Sequence, residues 1–371
     1  MLHQTSEPAV DANRPDLNPL GIKNIDHIEF LVDDVEKWTE HYVNCYGMYK
    51  RAFGDESTGL IGRKAYVVGQ GRVNFIFAQP QGDSQHAQEI KQFLEKHGSG
   101  VKDVAFRVKD PAQALQTAIN SGATCARKLH TQQGFTASAI KAYGDVIHTF
   151  VKRENNQTFA PNYQNIPGGI EDGDIHFMMI DHIVANVECM DEWVDYYRRV
   201  FGFDQRGQFD IKTGNSALMS KVMGDTDGYI KMPINEPSSE NSQIQIFLND
   251  FGGPGVQHIA LLTDNIVRTI QTMRDRGVEF LSVPDTYYEQ VPKRVPLLKE
   301  SLQSIKDLGI LADQDRSDGY LLQLFTQPVF ERPTLFHEII QRSGNSDGFG
   351  EGNFQALFEA IEREQAKRGL L

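Results

Sequence analysis

The sequence has few cysteines and no long apolar run. Its three cysteines, Cys45, Cys125 and Cys189, are too few and too scattered to predict a disulfide framework or a cysteine-based zinc site. No apolar stretch approaches the roughly 18–20 residues that a membrane-spanning helix needs. The polar start of the chain has no signal-peptide pattern. These absences predict a soluble protein of the reducing cytoplasm that has no membrane partner.

Basic residues are also scarce, since 37 Lys and Arg face 50 Asp and Glu, for a formal net charge of −13. No segment concentrates Lys or Arg, so the sequence lacks the electrostatic footprint of a nucleic-acid-binding protein. The hydrophobic share of 40% and the charged share of 23% are those of a globular chain. A length of 371 residues predicts two or three domains, at roughly 100–200 residues each.

The chain contains an internal repeat with a constant offset of 155 residues. Residues 25–48 read IDHIEFLVDDVEKWTEHYVNCYGM, and residues 180–203 read IDHIVANVECMDEWVDYYRRVFGF. The identical pairs include Ile25/Ile180, Asp26/Asp181, His27/His182, Ile28/Ile183, Trp38/Trp193, Tyr42/Tyr197 and Gly47/Gly202. The offset returns where GVKDVAFRV (100–108) matches GVQHIALLT (255–263). Several blocks in one register predict a tandem duplication.

Each copy predicts the same order of strands and helices. A short strand precedes an amphipathic helix that ends at a glycine, and several strands and a second strand–helix unit follow. The expected elements are strands at 28–32 and 183–187, helices at 35–46 and 190–201, strand–helix units at 103–121 and 258–276, and closing strands at 146–151 and 320–326. The predicted fold class is α+β, with two βαβββ modules that each form one curved mixed sheet.

The two copies also give the expected domain boundaries. A flexible lead at 1–21 precedes a first domain at 22–153. A linker at 154–177, which contains Pro, Gly and Asn, precedes a second domain at 178–371.

The second copy has two segments that the first copy lacks, an extra helical stretch at 293–310 and a C-terminal helix at 353–368. Gly348, Gly350 and Gly352 precede the C-terminal helix. Because glycine gives the backbone conformational freedom, we expect this helix to act as a lid that closes over a site.

One difference between the copies indicates a metal site. His182 corresponds to His27, but His258 corresponds to Asp103, so only the second copy has a histidine on both strands. We expect the two strands to lie side by side with these side chains on the concave face. Two imidazoles and one carboxylate form the facial triad of non-heme Fe(II) sites.

The third ligand is expected after the last strand, in a segment without a first-copy counterpart. His337 and Glu338 are the candidates there, and alternation along a strand allows only one of them to face inward. A third histidine would favour zinc, whereas a glutamate would favour iron. The chemistry favours Glu338 and leaves His337 as the alternative.

Several long motifs of the second copy resemble those of one enzyme family. They are GVQHIAL (255–261), KMPINEP (231–237), SQIQ (242–245), GYLLQLFT (319–326), RPTLFHEIIQR (332–342) and GFGEGNFQALFEAIEREQAKRG (348–369). In this order they closely resemble the 4-hydroxyphenylpyruvate dioxygenase family, which has the vicinal oxygen chelate fold. The resemblance covers about 22–370 and is denser in the C-terminal half.

The resemblance implies one Fe(II) per chain, bound by His182, His258 and Glu338. It also implies that the first domain is structural and has a degenerate metal site. The substrate-binding residues that it implies are Ser220, Pro233, Asn235, Gln243, Gln257, Gln323, Phe325, Phe349, Phe354 and Phe358. Of these, Ser220, Asn235, Gln257 and Gln323 are the implied catalytic residues.

The implied reaction combines oxidative decarboxylation of 4-hydroxyphenylpyruvate, ring hydroxylation and side-chain migration, and yields homogentisate and CO2 in tyrosine catabolism. The implied partners are a small 2-oxo acid and O2. Because family members are commonly homodimers or homotetramers, the resemblance also implies a homodimer or homotetramer. The alternatives are a 4-hydroxymandelate synthase, which oxidises the benzylic carbon, and a non-catalytic binding member of the same fold. The KMPINEP motif, with Pro233 and Asn235, favours ring hydroxylation.

Overall fold

The computed structural model of the chain contains two β-sheets, one from each copy of the repeat. The described residues are 18–154, 158–169, 173–212, 217–239 and 241–367. Residues 1–17 of the expected lead and parts of the expected linker lie outside them. Within these ranges, no helix is both long enough and apolar enough to cross a bilayer.

The first sheet is formed by residues 22–165. Its strands are β1 (Ile22–Leu31), β2 (Tyr49–Gly54), β3 (Arg63–Gln70), β4 (Val73–Pro80), β5 (Gly100–Val108), β6 (Cys125–Gln132), β7 (Phe135–Lys141), β8 (Ile147–Arg153) and β9 (Gln164–Asn165). They are arranged in the order β6-β7-β8-β5-β1-β4-β3-β2-β9. The short strand β9, which falls in the expected linker, pairs with β2 at the edge.

The second sheet is formed by residues 177–344. Its strands are β10 (Phe177–Asn186), β11 (Asp204–Lys212), β12 (Ala217–Gly224), β13 (Lys231–Pro237), β14 (Gly255–Thr263), β15 (Leu311–Arg316), β16 (Gly319–Phe325) and β17 (Phe336–Gly344). The order β11-β12-β13-β10-β14-β17-β16-β15 repeats the order of β1 to β8 in the first sheet. The predicted α+β fold with one mixed sheet per copy is confirmed.

Helices connect the strands of both sheets. They are α1 (Val35–Tyr46), α2 (Gln85–His97), α3 (Pro111–Asn120), α4 (Met190–Tyr196), α5 (Gln243–Phe251), α6 (Ile266–Asp275), α7 (Val291–Arg294), α8 (Leu302–Leu308) and α9 (Phe354–Lys367). The helix expected at 190–201 is α-helical only to Tyr196 and continues as a π-helical turn. The sequence pattern does not predict helices α2 and α5.

Helix α1 illustrates how local sequence sets the elements. The Asp34 carboxylate accepts a hydrogen bond from the Lys37 backbone N–H at 2.9 Å, which satisfies a free donor of the first turn. The helix ends at Gly47, whose φ of 64° is in the left-handed region that glycine adopts readily. Trp38 and Tyr42, four positions apart, are buried on one face.

The two sheets correspond strand by strand, although not at one constant offset. Strands β1 and β10 begin and end 155 residues apart, as do β5 and β14. Asp103 of β5 pairs with Ile147 of β8, whereas His258 of β14 pairs with Phe336 of β17. Ile147 and Phe336 are therefore equivalent, and they lie 189 residues apart (336 minus 147).

This correspondence corrects one expectation from the sequence. The segment that contains Glu338 has a first-copy counterpart, because β17 occupies the place of β8 in its sheet. Thr149 stands at the position of Glu338, and His148 at the position of His337. The expected match between 146–151 and 320–326 is also wrong, since β16 takes the place of β7.

An insertion in the second copy causes the change of offset. Between α6 and β15 it adds a 3₁₀ turn (Asp285–Glu289) and the helices α7 and α8. The extra helical stretch expected at 293–310 consists of two short helices, because α7 ends at Arg294, just before Val295-Pro296, and α8 begins at Leu302. A residue before proline avoids the helical conformation, so the helix stops there.

One hydrophobic core extends between the two sheets and joins the copies. The Tyr42 hydroxyl of α1 lies 2.5 Å from Nε2 of His337 in β17. In the opposite sense, the Tyr197 hydroxyl lies 2.7 Å from Nε2 of His148 in β8. Each pair connects a helix of one copy to a strand of the other, so the copies pack as a pseudo-symmetric unit.

Candidate metal centre

Three strands of the second sheet bring His182, His258 and Glu338 together. Ala260 of β14 pairs with His182 on one side and with Glu338 on the other. His258 lies two residues from Ala260 on the same strand and therefore on the same face. The small side chain of Ala260 leaves space between the three longer side chains.

The three side chains are buried and their polar ends converge. One potential ligand atom from each lies within 4.8 Å of the others. Glu338 Oε2 is 3.0 Å from Nε2 of His182 and 3.5 Å from Nε2 of His258. Glu338 Oε1 is buried and has no hydrogen-bond partner among the described residues. A buried carboxylate oxygen without a partner is costly, and a bound cation would satisfy it.

The electrostatics of this group suit a cation ligand set. Burial alone would raise the pKa of Glu338, but the two neighbouring histidines outweigh burial and lower it. For His182, burial acts to lower the pKa, while Glu338 and Asp181 outweigh burial and raise it. Burial lowers the pKa of His258, with partial opposition from Glu338. Metal binding requires this ionised carboxylate and two neutral imidazoles, so a bound cation would replace the proton that the raised pKa of His182 favours.

Hydrogen bonds orient both imidazoles from behind. His182 Nδ1 lies 2.8 Å from Asp181 Oδ1, and the Arg342 guanidinium donates to both Asp181 carboxylate oxygens at 2.7 and 2.8 Å. His258 Nδ1 lies 3.0 Å from Gln257 Oε1. These contacts at Nδ1 leave the Nε2 atoms directed at Glu338. Metal-binding histidines are commonly oriented in this way, by a hydrogen bond at the ring nitrogen that does not bind the metal.

His337 lies on the opposite face of β17 from Glu338. Its Nε2 accepts from the Tyr42 hydroxyl, and its Nδ1 donates to the Ile259 carbonyl at 3.4 Å. Burial lowers its pKa to about 3, which keeps the ring neutral. His337 is therefore a core residue between the two copies and does not join the candidate ligands.

A cavity lies beside the three side chains, and most of the predicted substrate-binding residues line it. Those that line it are Ser220, Pro233, Asn235, Gln257, Phe325, Phe349, Phe354 and Phe358. Ser220 and Asn235 are cross-strand neighbours in β12 and β13, and Asn235 donates to Asn186 Oδ1 at 3.1 Å. The cavity is mostly apolar, with a few polar groups near the candidate metal centre.

Two predicted pocket residues lie elsewhere. Gln243 lines a neighbouring cavity, which shares Gln257 with the first one. Gln323 packs against Gly350. A Cβ atom at position 350 would lie 2.6 Å from the side-chain amide of Gln323. Gln323 Oε1 is buried and has no hydrogen-bond partner among the described residues.

Two family models match the chain, and together they span most of it. "Hydroxyphenylpyruvate dioxygenase, HPPD, N-terminal" matches residues 17–174. "Glyoxalase/Bleomycin resistance protein/Dioxygenase superfamily" matches residues 179–291. The boundary between the two matches falls between the two sheets.

Similar proteins cover almost the whole chain. A 4-hydroxyphenylpyruvate dioxygenase of Aspergillus fumigatus is 40% identical over 99% of this chain and 98% of its own length. The 4-hydroxyphenylpyruvate dioxygenase of Danio rerio is 39% identical over 94% of this chain and 92% of its own length. The chain belongs to the 4-hydroxyphenylpyruvate dioxygenase family.

Among solved structures, a triple mutant of 4-hydroxymandelate synthase from Streptomyces coelicolor is similar to this 4-hydroxyphenylpyruvate dioxygenase family member. The TM-score is 0.83 at 28% identity, over 93% of this chain and 99% of that chain. The fold is thus shared with an enzyme named for a different product.

Sequence reasoning missed part of the cavity wall of this 4-hydroxyphenylpyruvate dioxygenase family member. The missed residues are apolar: Val184, Phe209, Ile211 and Val222. Phe209 contacts Phe354 with ring centroids 4.9 Å apart. The sequence did contain a signal for this wall. Phe209 and Ile211 alternate in an edge strand that is otherwise exposed, and apolar side chains at such positions indicate a surface that something else covers.

The three glycines before α9 allow close packing in this family member. A side chain at position 348 would come within 2.8 Å of Asp315, and one at position 352 would clash with Asp313. Asp315 and Asp313 accept backbone hydrogen bonds from Gly348 and Gly352 at 2.6 and 2.8 Å. Close approach therefore explains these glycines, whereas the sequence argument relied on flexibility.

The inserted segment of the second copy holds the start of α9. The Tyr287 hydroxyl donates to Asn353 Oδ1 at 2.5 Å, and Arg294 donates to the same atom at 3.0 Å. Phe354, Leu357 and Phe358 of α9 then cover the cavity. In this closed arrangement the cavity measures about 50 Å³, below the roughly 300–1,000 Å³ of typical ligand pockets.

Proposed function

We propose that this chain is an Fe(II)-dependent dioxygenase that converts 4-hydroxyphenylpyruvate and O2 to homogentisate and CO2. The observation that carries the proposal is the convergence of His182, His258 and Glu338 at the floor of an apolar cavity. The relatives named as 4-hydroxyphenylpyruvate dioxygenases, which align over nearly the full length, support the same substrate. The atoms balance, because both O2 atoms enter the products and one carboxyl carbon leaves as CO2.

The residues fit one iron per chain. Two imidazoles and one carboxylate on a single face are the donor set of mononuclear non-heme Fe(II) sites with open positions. The unpartnered Glu338 Oε1 is the sign that this buried group needs a cation. When bound, Fe(II) would supply the redox chemistry with O2, which protein side chains cannot supply.

The protein's own contribution is orientation and the exclusion of water. We propose that Phe325 and Phe354 hold the substrate ring by edge or offset contacts. Ser220, Asn235 and Gln257 would bind its polar ends, since their polar side chains line the same cavity. Correct positioning of reacting groups can contribute several orders of magnitude in rate.

Gln243 and Gln323 would act from the cavity's periphery. We propose that Gln323 supports α9 at Gly350 and that Gln243 reaches the substrate only after α9 shifts. Phe349 would complete the wall against His182, since the two ring centroids are 5.4 Å apart. Because the closed cavity is small, substrate entry requires α9 to move away.

Formation of 4-hydroxymandelate is the second candidate, because the similar solved structure is a variant of an enzyme with that name. Its reaction uses the same substrate and O2, so only the product distinguishes the two. Ser220 of β12 and Asn235 of β13, which would bind the polar ends of the substrate, would help to decide which carbon is oxidised. Product analysis therefore tests both candidates at once.

The test is a reaction of the purified chain with Fe(II), O2 and 4-hydroxyphenylpyruvate. We expect homogentisate and CO2 in equal amounts, with one O2 consumed per turnover. Glu338→Gln should abolish turnover, while the control Glu331→Gln, which changes an exposed glutamate, should leave it unchanged. Accumulation of 4-hydroxymandelate, or full turnover in Glu338→Gln, would overturn the proposal.

We also propose that the chain works as a homodimer or homotetramer in the cytoplasm. The resemblance to the family supports this proposal. Light scattering of the purified protein at micromolar concentration would test the assembly, and a monomer would contradict it.

A further inference from the structure

The first module contains a cavity at the place that the metal centre occupies in the second. His27, Asp103 and Thr149, which line this cavity, correspond to His182, His258 and Glu338. The cavity measures about 220 Å³, against about 50 Å³ for the cavity beside the metal centre. A module without a catalytic role has no evident need for such a space, since protein interiors are normally close-packed.

The chemistry of this cavity excludes a copy of the metal site. Both carboxylate oxygens of Asp103 accept hydrogen bonds from Thr149, one from its backbone N–H at 3.1 Å and one from its hydroxyl. Thr149 itself is a poor substitute for the carboxylate of Glu338. Within the described residues, His27 and Asp103 do not belong to any group of three potential metal ligands.

Charged groups are nevertheless retained inside the module. Arg63 donates to Glu29 at 2.7 Å and to the Tyr163 hydroxyl at 3.0 Å, and all three line the cavity. Val184 stands at the position of Glu29 in the second copy. An apolar pair would be equally stable or more stable at a purely structural position, because burying ions is costly.

One donor and one acceptor of the cavity remain available, Arg127 and Nε2 of His27. His27 is only 6% exposed, its Nδ1 is bound to Asp26 at 2.7 Å, and its Nε2 has no hydrogen-bond partner among the described residues. Arg127 at the exposed edge makes no hydrogen bond or salt bridge within the described ranges. The other lining arginines differ, because Arg63 pairs with Glu29 and Arg153 pairs with Asp26.

The remaining walls are largely aromatic. Phe135 and Phe159 line the cavity, and the Arg153 guanidinium lies over both rings, at 5.4 and 4.5 Å from their centroids. His27 meets Phe159 edge-on at a centroid distance of 5.7 Å. The cavity thus combines the Arg127 cation with aromatic walls that suit a flat apolar group.

We propose that the first module binds a small aromatic monocarboxylate, with the carboxylate at Arg127 and the ring against Phe135 and Phe159. This second site is independent of iron and of the reaction in the second module. The cavity uses the concave face that the duplication preserved, while Asp103 and Thr149 removed its metal chemistry.

Phenylacetate is a suitable probe, because it has the ring and the carboxylate but no 2-oxo group with which to chelate a metal. Calorimetric titration of the full chain should detect its binding, and Arg127→Gln should weaken that binding at least about tenfold, the loss of one charged contact. Lys128→Gln is the matched control, since Lys128 is the next exposed residue of β6 and does not line the cavity. It should leave the affinity unchanged.

Additional variants and a second ligand distinguish binding at this site from binding at the catalytic site. His182→Ala should not alter phenylacetate binding at the first module, and Arg127→Gln should not alter iron content or homogentisate formation. Benzylamine, which has the ring but a positive charge, should not bind. The proposal is overturned if phenylacetate does not bind, if Arg127→Gln and Lys128→Gln behave alike, or if Phe325→Ala rather than Arg127→Gln abolishes binding.

Discussion

In both modules an arginine of the last long strand binds an aspartate that in turn binds a histidine. Arg153, Asp26 and His27 form this chain in the first module, with His27 Nδ1 2.7 Å from Asp26. Arg342, Asp181 and His182 form it in the second, at 2.7–2.8 Å. The first module has these Arg–Asp–His contacts without the complete set of metal ligands. The contacts therefore have a structural role in addition to orienting a metal-binding histidine.

The modules differ at the two other ligand positions. Asp103 and Thr149 bind each other in the first module, whereas His258 and Glu338 converge on His182 in the second. The comparison teaches that the duplicated fold supplies an oriented histidine, and that two further side chains decide whether it becomes a metal ligand.

Conversion of the second module to the first should have the largest effect. We expect the double variant His258→Asp/Glu338→Thr to lose iron and turnover entirely, because one histidine cannot retain the metal. The fold should survive, since the first module carries these residues. Iron analysis and far-UV circular dichroism of the purified variant would check this, and a variant that kept its iron would break the comparison.

Substitution of the equivalent arginines, Arg153 and Arg342, should distinguish effects on stability from effects on metal binding. Arg342→Gln should lower the free energy of unfolding by about 3–5 kcal/mol, because it leaves the buried Asp181 without its arginine partner. Arg153→Gln should lower it less, because Arg107 still pairs with Asp26 at 3.0 Å. Only Arg342→Gln should also weaken metal affinity, by about 10–100-fold. Denaturant unfolding and metal titration of both variants measure the two effects. Equal metal affinities would show that the arginine does not orient His182.

The core histidine of the first module should make stability depend on pH. Burial lowers the pKa of His148 to about 4, although the Val104 carbonyl partly opposes this. The unfolded chain takes up the proton near pH 6.5, so stability falls as the pH drops from about 6.5 to about 4. The expected loss is about 3 kcal/mol, at about 1.4 kcal/mol per pKa unit.

The control for this prediction is His148→Gln, which cannot titrate. The titratable groups that face His148 are Tyr143 and Tyr197, and both stay neutral in this pH range because burial raises the pKa of each. The difference in unfolding free energy between wild type and variant should therefore shrink on acidification. A constant difference from pH 7 to pH 4 would contradict the assignment.

Much of the fold could be predicted because the duplication repeats both pattern and spacing. The offset of 155 predicts that His182 and His258 lie on neighbouring strands, and β10 and β14 do pair. Strand alternation reduces the third ligand to one of two residues, and the family motif favours Glu338.

Other features could not be predicted from the sequence for physical reasons. The insertion changes the offset from 155 to 189, so the sequence does not reveal the counterpart of β17. The bonds of Tyr42 to His337 and Tyr197 to His148 depend on how the two sheets pack, which no local pattern encodes. The cavity of the first module likewise depends on residues of β1, β3, β6 and β8, which are far apart in the sequence.

The central claim, that one module binds iron and the other does not, is tested most directly by the iron content of two matched variants. His27→Ala and His182→Ala remove equivalent histidines that share the same aspartate contact. After reconstitution with Fe(II), wild type and His27→Ala should each hold one iron per chain, and His182→Ala should hold none. Two irons in the wild type, or loss of iron from His27→Ala, would contradict the account.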